Sequence, residues 1–538
     1  MDTKKESDND LIKDIIPKPT PIDLRFKLAF ALLCIVNLVC ALDATILAVA
    51  LPTIATALHG TAIQAFWTGT SFLLTSTIFV PIFTSLSHLI SRVPILITAI
   101  LFFTLGSLLC SLASNFTILL LGRSIQGIGG GGISALTNII ISDVVSLRDR
   151  GKWFSGISLM WCLGAVIGPV LGGLFAERNW RLIFYINFPF CGIGLVGLPL
   201  ALRLRKREGR VLKRLKEQFD WIGSILFIGS LTAILIPLSW GGVMYPWTDY
   251  HTLLPLLLGA MGLLSFLEYT HIYTTHPLIR ASIFSTTTAT VNFLCTSLHG
   301  AILWSLLYYM PLYYQTAKNA SPITSAIILF PFTLTMGPAS VVDSVIIGLT
   351  GRYRPSLWLG WTLTLLGTLL LLSLSPNTPL ATLIALQLPP GLGFGILYPA
   401  MSFAVQAPAS DTDLPFAAAM FTFFRTLGQS LGVAVSGNIF QSSFHHYTQH
   451  SVILAPLQIP GDASSLVAYV KGLQEGEVKS ELVKAYCAGI RGVLVLACAA
   501  AGVAMVVSLV GTRALSLERE VRTEQGWKGR DEQEGGVA

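Results

Sequence analysis

The sequence predicts an all-α polytopic membrane protein: two six-helix bundles plus two extra central helices, fourteen transmembrane helices in all. Composition, charge placement and an internal repeat predict it. Of 538 residues, 53% are hydrophobic and 12% charged, with a mean hydropathy of +0.69. An ordinary soluble domain carries about 25% charged residues. Of the 63 Asp, Glu, Lys and Arg, 41 fall in 1–27, 203–220, 441–484 and 513–538, leaving 22 for the other 423 residues. So apolar a chain must be cut by the bilayer into spans of about 20 residues. These counts exclude a soluble globular protein, a disordered chain and a nucleic-acid binder.

The tail 1–27 is polar, with Pro17, Pro19 and Pro21. It has no apolar core or small-residue cleavage site, so it does not read as a signal peptide. Apolar stretches long enough to cross follow near 28–50, 66–87, 94–113, 116–141, 153–176 and 182–202, the N-terminal six-helix bundle (28–202). A basic loop, 203–220, leads to two linker helices in 221–272. The C-terminal six-helix bundle, 287–511, holds stretches near 287–313, 322–349, 355–374, 379–405, 415–439 and 489–511, with an outer loop at 441–488 and a tail at 512–538. Helix is assigned from length and from the need to satisfy backbone polar groups inside the membrane. The short alternating strands of a barrel are absent.

Orientation follows from Lys and Arg in the short loops. With the N-terminus inside, the inner loops hold Arg92; Arg148, Arg150 and Lys152; Arg280; Arg352 and Arg354; and eight basic residues in 203–216. The short outer loops hold only Arg178, Arg181 and Lys318. Both termini are therefore expected in the cytoplasm, and the net charge of +7 needs no acidic ligand. Asn115 and Asn319 begin Asn-x-Ser/Thr sequons on outer turns that hug the membrane, so neither is expected to be glycosylated. The eight Cys lie in or beside apolar runs without a CxxC pair and read as free buried thiols.

The repeat has an offset of 264: Gly127, Gly129 and Gly131 recur as Gly391, Gly393 and Gly395, and Gly164, Gly168 and Gly173 as Gly428, Gly432 and Gly437. Parallel halves of this kind mark carriers that rock about a central site near the midplane. In span 5, Gly164, Gly168 and Gly172 share one helix face, beside Pro169 and Gly173. Bare glycine lets a neighbouring backbone come close, and Pro169 removes a helix hydrogen bond. The face serves either a sliding surface or ordinary tight packing.

Few charges lie within spans. Arg123, in the stretch Gly122–Gly132 with Gln126 and Gly127, lies about two turns from the outer end of span 4, roughly 11 Å. An Arg at that depth is costly unless paired or hydrated, and its repeat counterpart, Gln387, is uncharged. Asp43 in span 1 lies at similar depth, about 24 Å along the helix from Lys27. Depth does not establish that the two face each other, but a carboxylate there can exchange a proton against substrate. Asp343 in span 10 is a second candidate proton site, and Arg425 in span 13 is either functional or a partner to backbone carbonyls. Those four read as the intramembrane charges; Glu268 reads as interfacial. In span 9, Trp304 and Tyr308 share a face, as do Tyr309 and Tyr313, suited to stacking a planar ligand or, for Tyr313 and Tyr314, to an interfacial belt. His445, His446 and His450 lack companion Cys or carboxylates, so no metal and no cofactor is expected.

These motifs resemble the major facilitator superfamily, and within it the fourteen-span drug:proton antiporter family of fungal type. The resemblance rests on Leu42-Asp43-Ala44-Thr45 through Ala50-Leu51-Pro52, on Arg123 through Gly132, and on Gly164 through Gly173, which is similar to the antiporter motif of exporters. Asn179-Trp180-Arg181 to Asn187-Phe188-Pro189, Asp220-Trp221-Ile222-Gly223 and Trp240-Gly241-Gly242 also fit, over roughly 28–511. The resemblance implies that Arg123 takes part in proton transfer and Asp43 in coupling or substrate recognition. One departure stands out. Between spans 2 and 3, where the family has Gly, Asp and Gly-Arg, this chain keeps Leu86 and Arg92 but has Thr84, His88 and Ser91. That loop helps control the inward–outward switch; His88 marks either decay of the motif or a pH-sensitive switch.

The expected function is that of a proton-coupled efflux carrier for a small amphiphilic organic compound: a drug, toxin or secondary metabolite. Its expected partners are that substrate, protons and the lipid bilayer, with no nucleic acid, as a monomer in the plasma membrane or a vacuolar or vesicular one. Uptake of a compound such as an iron–siderophore complex is the competing transport reading. A non-transporting sensor usually needs a long cytoplasmic tail, and 512–538 is too short for a folded domain. No nucleophile–base set suggests an enzyme.

Overall fold

The computed structural model describes residues 24–60, 62–147, 149–205, 210–242, 244–457 and 467–518. The expectations for the tail before residue 24, for Arg148 and for the tail beyond residue 518 lie outside the described residues, as do parts of the basic and outer loops. Among the described residues the regular elements are helices. The first half holds α1 (Leu24–Ala57), α2 (Ala62–Leu89), α3 (Arg92–Ser111), α4 (Phe116–Val144), α5 (Arg150–Arg178), α6 (Leu182–Tyr185) and α7 (Asn187–Ala201). Then come α8 (Val211–Gln218), α9 (Trp221–Trp240) and α10 (Tyr250–Ile272). After a 3₁₀ turn at Ala281–Phe284, the second half holds α11 (Thr287–Ala317), α12 (Pro322–Ile328), α13 (Phe330–Thr350), α14 (Arg354–Leu371), α15 (Leu380–Gln406), α16 (Leu414–His450), α17 (Val467–Gly472) and α18 (Glu477–Gly511).

Eleven helices among the described residues are long and apolar enough to cross a membrane. The three other expected crossings fall in α4, α14 and α16, which are helical but more polar by that measure. Short polar side chains set several helix starts. Asn115 Oδ1 accepts the Ile118 N–H (3.0 Å), Asp220 Oδ1 the Gly223 N–H (2.8 Å) and Ser321 Oγ the Thr324 N–H (3.0 Å). Two expected spans are broken helices. The α6–α7 and α12–α13 breaks lie close before Pro189 and Pro331, each of which lacks a backbone N–H.

The outer loop is shorter than expected, because α16 runs to His450 and α18 begins at Glu477. The two extensions brace each other: the Tyr447 and Ser451 hydroxyls donate to Glu481 Oε2 at 3.2 and 3.0 Å. These contacts give polar residues partners that a loop would have found in water.

The halves repeat in packing as well as sequence. In the first, α1 lies on α5 and α4 on α2 and α3; in the second, α11 lies on α16 and α15 on α13 and α14. The halves meet where α5 packs on α13, and α2 and α4 on α16. The two extra helices, central in sequence, are peripheral in space. α9 leans on α16 and α2, and α10 packs on α9 with its leucines, among them Leu254, Leu258 and Leu264, more than half exposed. An apolar face of that kind suits lipid.

Candidate functional site

Asp43 and Arg123, expected at similar depth, are in direct contact. The Arg123 guanidinium donates through Nη1 to Asp43 Oδ2, and each residue is 1% exposed. Gln126, one turn along α4, ties the pair: Arg123 Nη1 donates to Gln126 Oε1 (2.6 Å) and Gln126 Nε2 to Asp43 Oδ1 (2.7 Å). Asn187 Nδ2 adds a third bond to the carboxylate at 3.0 Å, and both amides also donate to Ser107 Oγ, at 2.9 and 3.1 Å. Arg123 Nε donates to the Thr68 carbonyl at 2.9 Å, and its Cζ stands 4.5 Å from the Phe72 ring centroid. Five helices (α1, α2, α3, α4 and α7) thus close on one buried ion pair. A buried pair is sustained only when its remaining donors and acceptors are met, and here they largely are.

Glycine makes the approach of these helices possible. A Cβ on Gly127 would overlap Thr75 Oγ1 and the Phe72 carbonyl, and one on Gly391 the equivalent Thr335 Oγ1 and Phe332 carbonyl. Gly164 meets Ala41 and Gly168 meets Thr45, as Gly428 meets Ser297 and Gly432 meets Ala301. The face carrying Gly164, Gly168 and Gly172 is thus packed hard on α1, with the Thr45 hydroxyl donating to the Gly164 carbonyl at 2.9 Å, while Gly173 faces Ile323 of α12. This packing sets a second register, an offset of 256 between α1 and α11, which makes His299 the counterpart of Asp43. Gln387, the counterpart of Arg123, donates to the Ile328 carbonyl at 2.9 Å much as Arg123 does to Thr68. The second half keeps the backbone tie and lacks the ion pair.

At the basic end the halves are latched. Arg92, kept from the degenerate loop motif, pairs with Asp143 (Nε–Oδ2, 2.8 Å) and donates to Ser87 Oγ at 2.9 Å. His88 stacks on Phe416 of the other half, ring centroids 3.9 Å apart, and Arg280 lies over the same ring while pairing with Asp413 at 3.0 Å. Arg150, fully buried, donates across the halves to Gln406 Oε1 at 2.8 Å. Arg92, Asp143 and Arg150 are also buried, because cross-helix partners replace water at these helix ends.

Between this latch and the ion pair lies a small cavity, about 30 Å³, room for roughly two waters. Its walls include Asn37 and Ala44 of α1, Phe72 of α2, Asn138 of α4, Trp161 of α5, Trp304 of α11, Tyr398 of α15, and Phe421, Arg425 and Gln429 of α16. Both halves contribute. Asp43 is adjacent in sequence to Ala44 of the wall, and Phe72 touches both the cavity and Arg123. Residues 33–433 match the family pattern of the Major Facilitator Superfamily.

The chain belongs to the Major Facilitator Superfamily.

It is 46% identical over 507 residues (94% of this chain, 84% of the relative) to MFS transporter L2 of Phoma sp.. It is 32% identical over 534 residues (98% and 96%) to the efflux pump FUS6 of Gibberella fujikuroi. It is 32% identical over 517 residues (94% and 93%) to the acurin A biosynthesis cluster MFS-type transporter of Aspergillus aculeatus. As a superfamily member with these apolar helices, it is a multi-pass membrane protein whose class of substrate is the small molecule.

Asp343 is not part of the Asp43 cluster. It lies buried on α13, with its Oδ2 lacking a hydrogen-bond partner, away from the cavity wall. Arg425 is not held by backbone carbonyls; its guanidinium faces the Tyr398 and Trp161 rings. Tyr313 and Tyr314 are no interfacial belt, being buried, with the Tyr313 hydroxyl donating to the Ser375 carbonyl at 2.7 Å. Tyr309 donates to the Val433 carbonyl (3.3 Å), so Trp304 is the aromatic of α11 that reaches the cavity wall. Among the described residues no cluster could hold a metal ion, and the eight cysteines are free. Sequence reasoning missed Ser107, Thr68, Asp143, Gln406 and the role of Asn187. Only Asn187 carried a signal, as part of a motif.

Proposed function

We propose that this chain is a proton-coupled efflux carrier, of the fourteen-span drug:proton antiporter type, for a small amphiphilic organic compound such as a drug, toxin or secondary metabolite. The single observation that carries the proposal is the buried Asp43–Arg123–Gln126 network beside a cavity lined by both halves. A proton on Asp43 cancels its charge and leaves Arg123 without a counter-charge in a site closed to water. That state is relieved by a rearrangement that brings water or substrate near. Proton and substrate then favour opposite-facing states, and their coupling is reciprocal. Export as the direction is supported by the FUS6 name, and a metabolite as cargo by the acurin A cluster transporter.

The same reading places both termini in the cytoplasm, by the basic end, and the monomeric carrier in the plasma membrane. It divides the chain into bundles 28–202 and 287–511 around the linker helices. Arg92, Arg150 and His88 hold the cytoplasmic side shut, and the glycine faces around Gly127 and Gly164 let helices within the first bundle pack closely. A deletion strain grown under conditions that induce the gene tests the direction. Intracellular retention of a compound that the parent strain secretes is the expected result; unchanged secretion together with reduced uptake would establish an importer instead.

A further inference from the structure

One cation on the cavity wall has no acid to match it. The Arg425 Cζ stands 4.9 Å from the Tyr398 ring centroid and 5.6 Å from that of Trp161. The guanidinium forms no ion pair and no hydrogen bond with the described residues, and its Nε is buried without an acceptor. One turn along α16, Gln429 is 2% exposed and leaves Nε2 buried in the same condition. Positions four apart share a helix face, and both residues line the cavity. Two neighbouring side chains on the cavity wall, one of them charged, thus each carry a buried donor without an acceptor.

Arg123, 1% exposed, shows how a buried guanidinium is met elsewhere in this protein: by a carboxylate, an amide oxygen and a carbonyl. Arg425 has only ring faces. These offset part of the desolvation of a cation but accept no in-plane hydrogen bond. Buried donors in native structures nearly always have partners, ordered water included, so the acceptors come from whatever fills the cavity; water there meets the hydrogen bonds but not the charge. A neutral carbonyl would satisfy the hydrogen bonds and leave the charge unmatched; an anion meets both. The site has one cation, because the position of Arg425 in the first half, at the 264 offset, is Trp161.

We infer that Arg425 and Gln429 bind an acidic group of the transported compound, a carboxylate or a group of similar charge, so that the substrate class is the amphiphilic organic anion. Trp161, Trp304 and Tyr398 take the apolar body next to that group in a state in which the halves have parted, since the closed cavity holds only about two waters. The inference rests on the carrier reading above and narrows its substrate.

The test uses the purified full chain in lipid nanodiscs, in chloride-free buffer, and two labelled probes of the same shape: 2-naphthoate and its uncharged amide, 2-naphthamide. The unmodified protein is expected to bind the carboxylate at least about tenfold more tightly, as one charge-assisted hydrogen bond warrants. R425Q should bring the two affinities together, R425K should keep part of the preference, and Q429L should weaken carboxylate binding alone. Equal affinities in the unmodified protein, no carboxylate binding, or a preference that survives R425Q would each overturn the inference. The comparison of probes on the unmodified protein stands even where R425Q fails to fold. Binding needs no gradient. Failure here leaves proton-driven export of an uncharged compound standing, whereas intact anion binding without gradient-driven export would count against the carrier reading alone.

Discussion

Asp43→Asn should unbalance the network more than its small change of shape suggests. The carboxylate accepts from Arg123 at Oδ2 and from Gln126 and Asn187 at Oδ1. An amide keeps one oxygen and turns the other position into a donor, which must face either the guanidinium or two side-chain amides. The guanidinium is left buried without its counter-charge. Removing one partner of a buried pair costs about 3–5 kcal/mol, a factor of roughly one hundred to several thousand in the folding equilibrium. Arg123→Gln removes the other partner, and the second half already shows this solution, with Gln387 on the Ile328 carbonyl. The double variant D43N/R123Q should therefore be more stable than the sum of the single losses predicts, by roughly 2 kcal/mol or more. The assay is unfolding of the purified chain in mixed micelles, in a double-mutant cycle. Additive losses, or a D43N protein as stable as the parent, would refute this account of the ion pair.

Gly428→Ala would drive a Cβ into the Ser297 carbonyl and should abolish accumulation of folded protein, whereas Gly229→Ala, with nothing within 4 Å, should stabilise its helix by about 1 kcal/mol; size-exclusion yield and unfolding midpoints compare them. Arg150→Ala removes a charged hydrogen bond to Gln406, a loss of about 1.5–3 kcal/mol, and should speed amide exchange at the end of α15 by roughly tenfold or more, read by mass spectrometry. Asp413 stands outside the spans. Burial opposes its charge, but hydrogen bonds from Arg280, Ser410 and Ser282 and the Arg280 charge outweigh burial and hold the carboxyl below the usual carboxylate range. Its stabilising contribution is thus fully present above about pH 4 and fades as pH falls through the lowered value. The melting temperature of the parent should exceed that of D413N at pH 7, with the gap closing in acid.

The helical stretches, the repeat and the candidacy of Asp43 and Arg123 were legible because each rests on apolar length, glycine spacing or a charge within an apolar run. That the two charges meet was not, since neither end of the pair reveals which way its helix is turned. Ser107 and Thr68 were invisible for another reason: a hydroxyl and a carbonyl inside apolar runs look like ordinary helix until a charge is placed against them. The correspondence of His299 with Asp43 was hidden by loop length, since α1 and α11 are in register at 256, not at the 264 that relates the glycines of α4, α5, α15 and α16. From sequence His88 read as decay of the motif rather than a switch, and its stacking on Phe416 gives it a contact across the halves. For Arg425 the sequence left structural and functional readings open, because the absence of an acceptor is a property of three dimensions.

The central claim is that Asp43 couples proton movement to export. Everted membrane vesicles expose the cytoplasmic face outward, so an exporter carries substrate into the lumen as protons leave it. Uptake of the secreted compound into vesicles holding the unmodified chain should rise with an inside-acid gradient and collapse when a protonophore removes it. Vesicles holding D43N/R123Q, present at matched amounts, should show no gradient-driven uptake. Uptake that ignores the gradient in the unmodified protein, or that follows it without Asp43, would contradict the account.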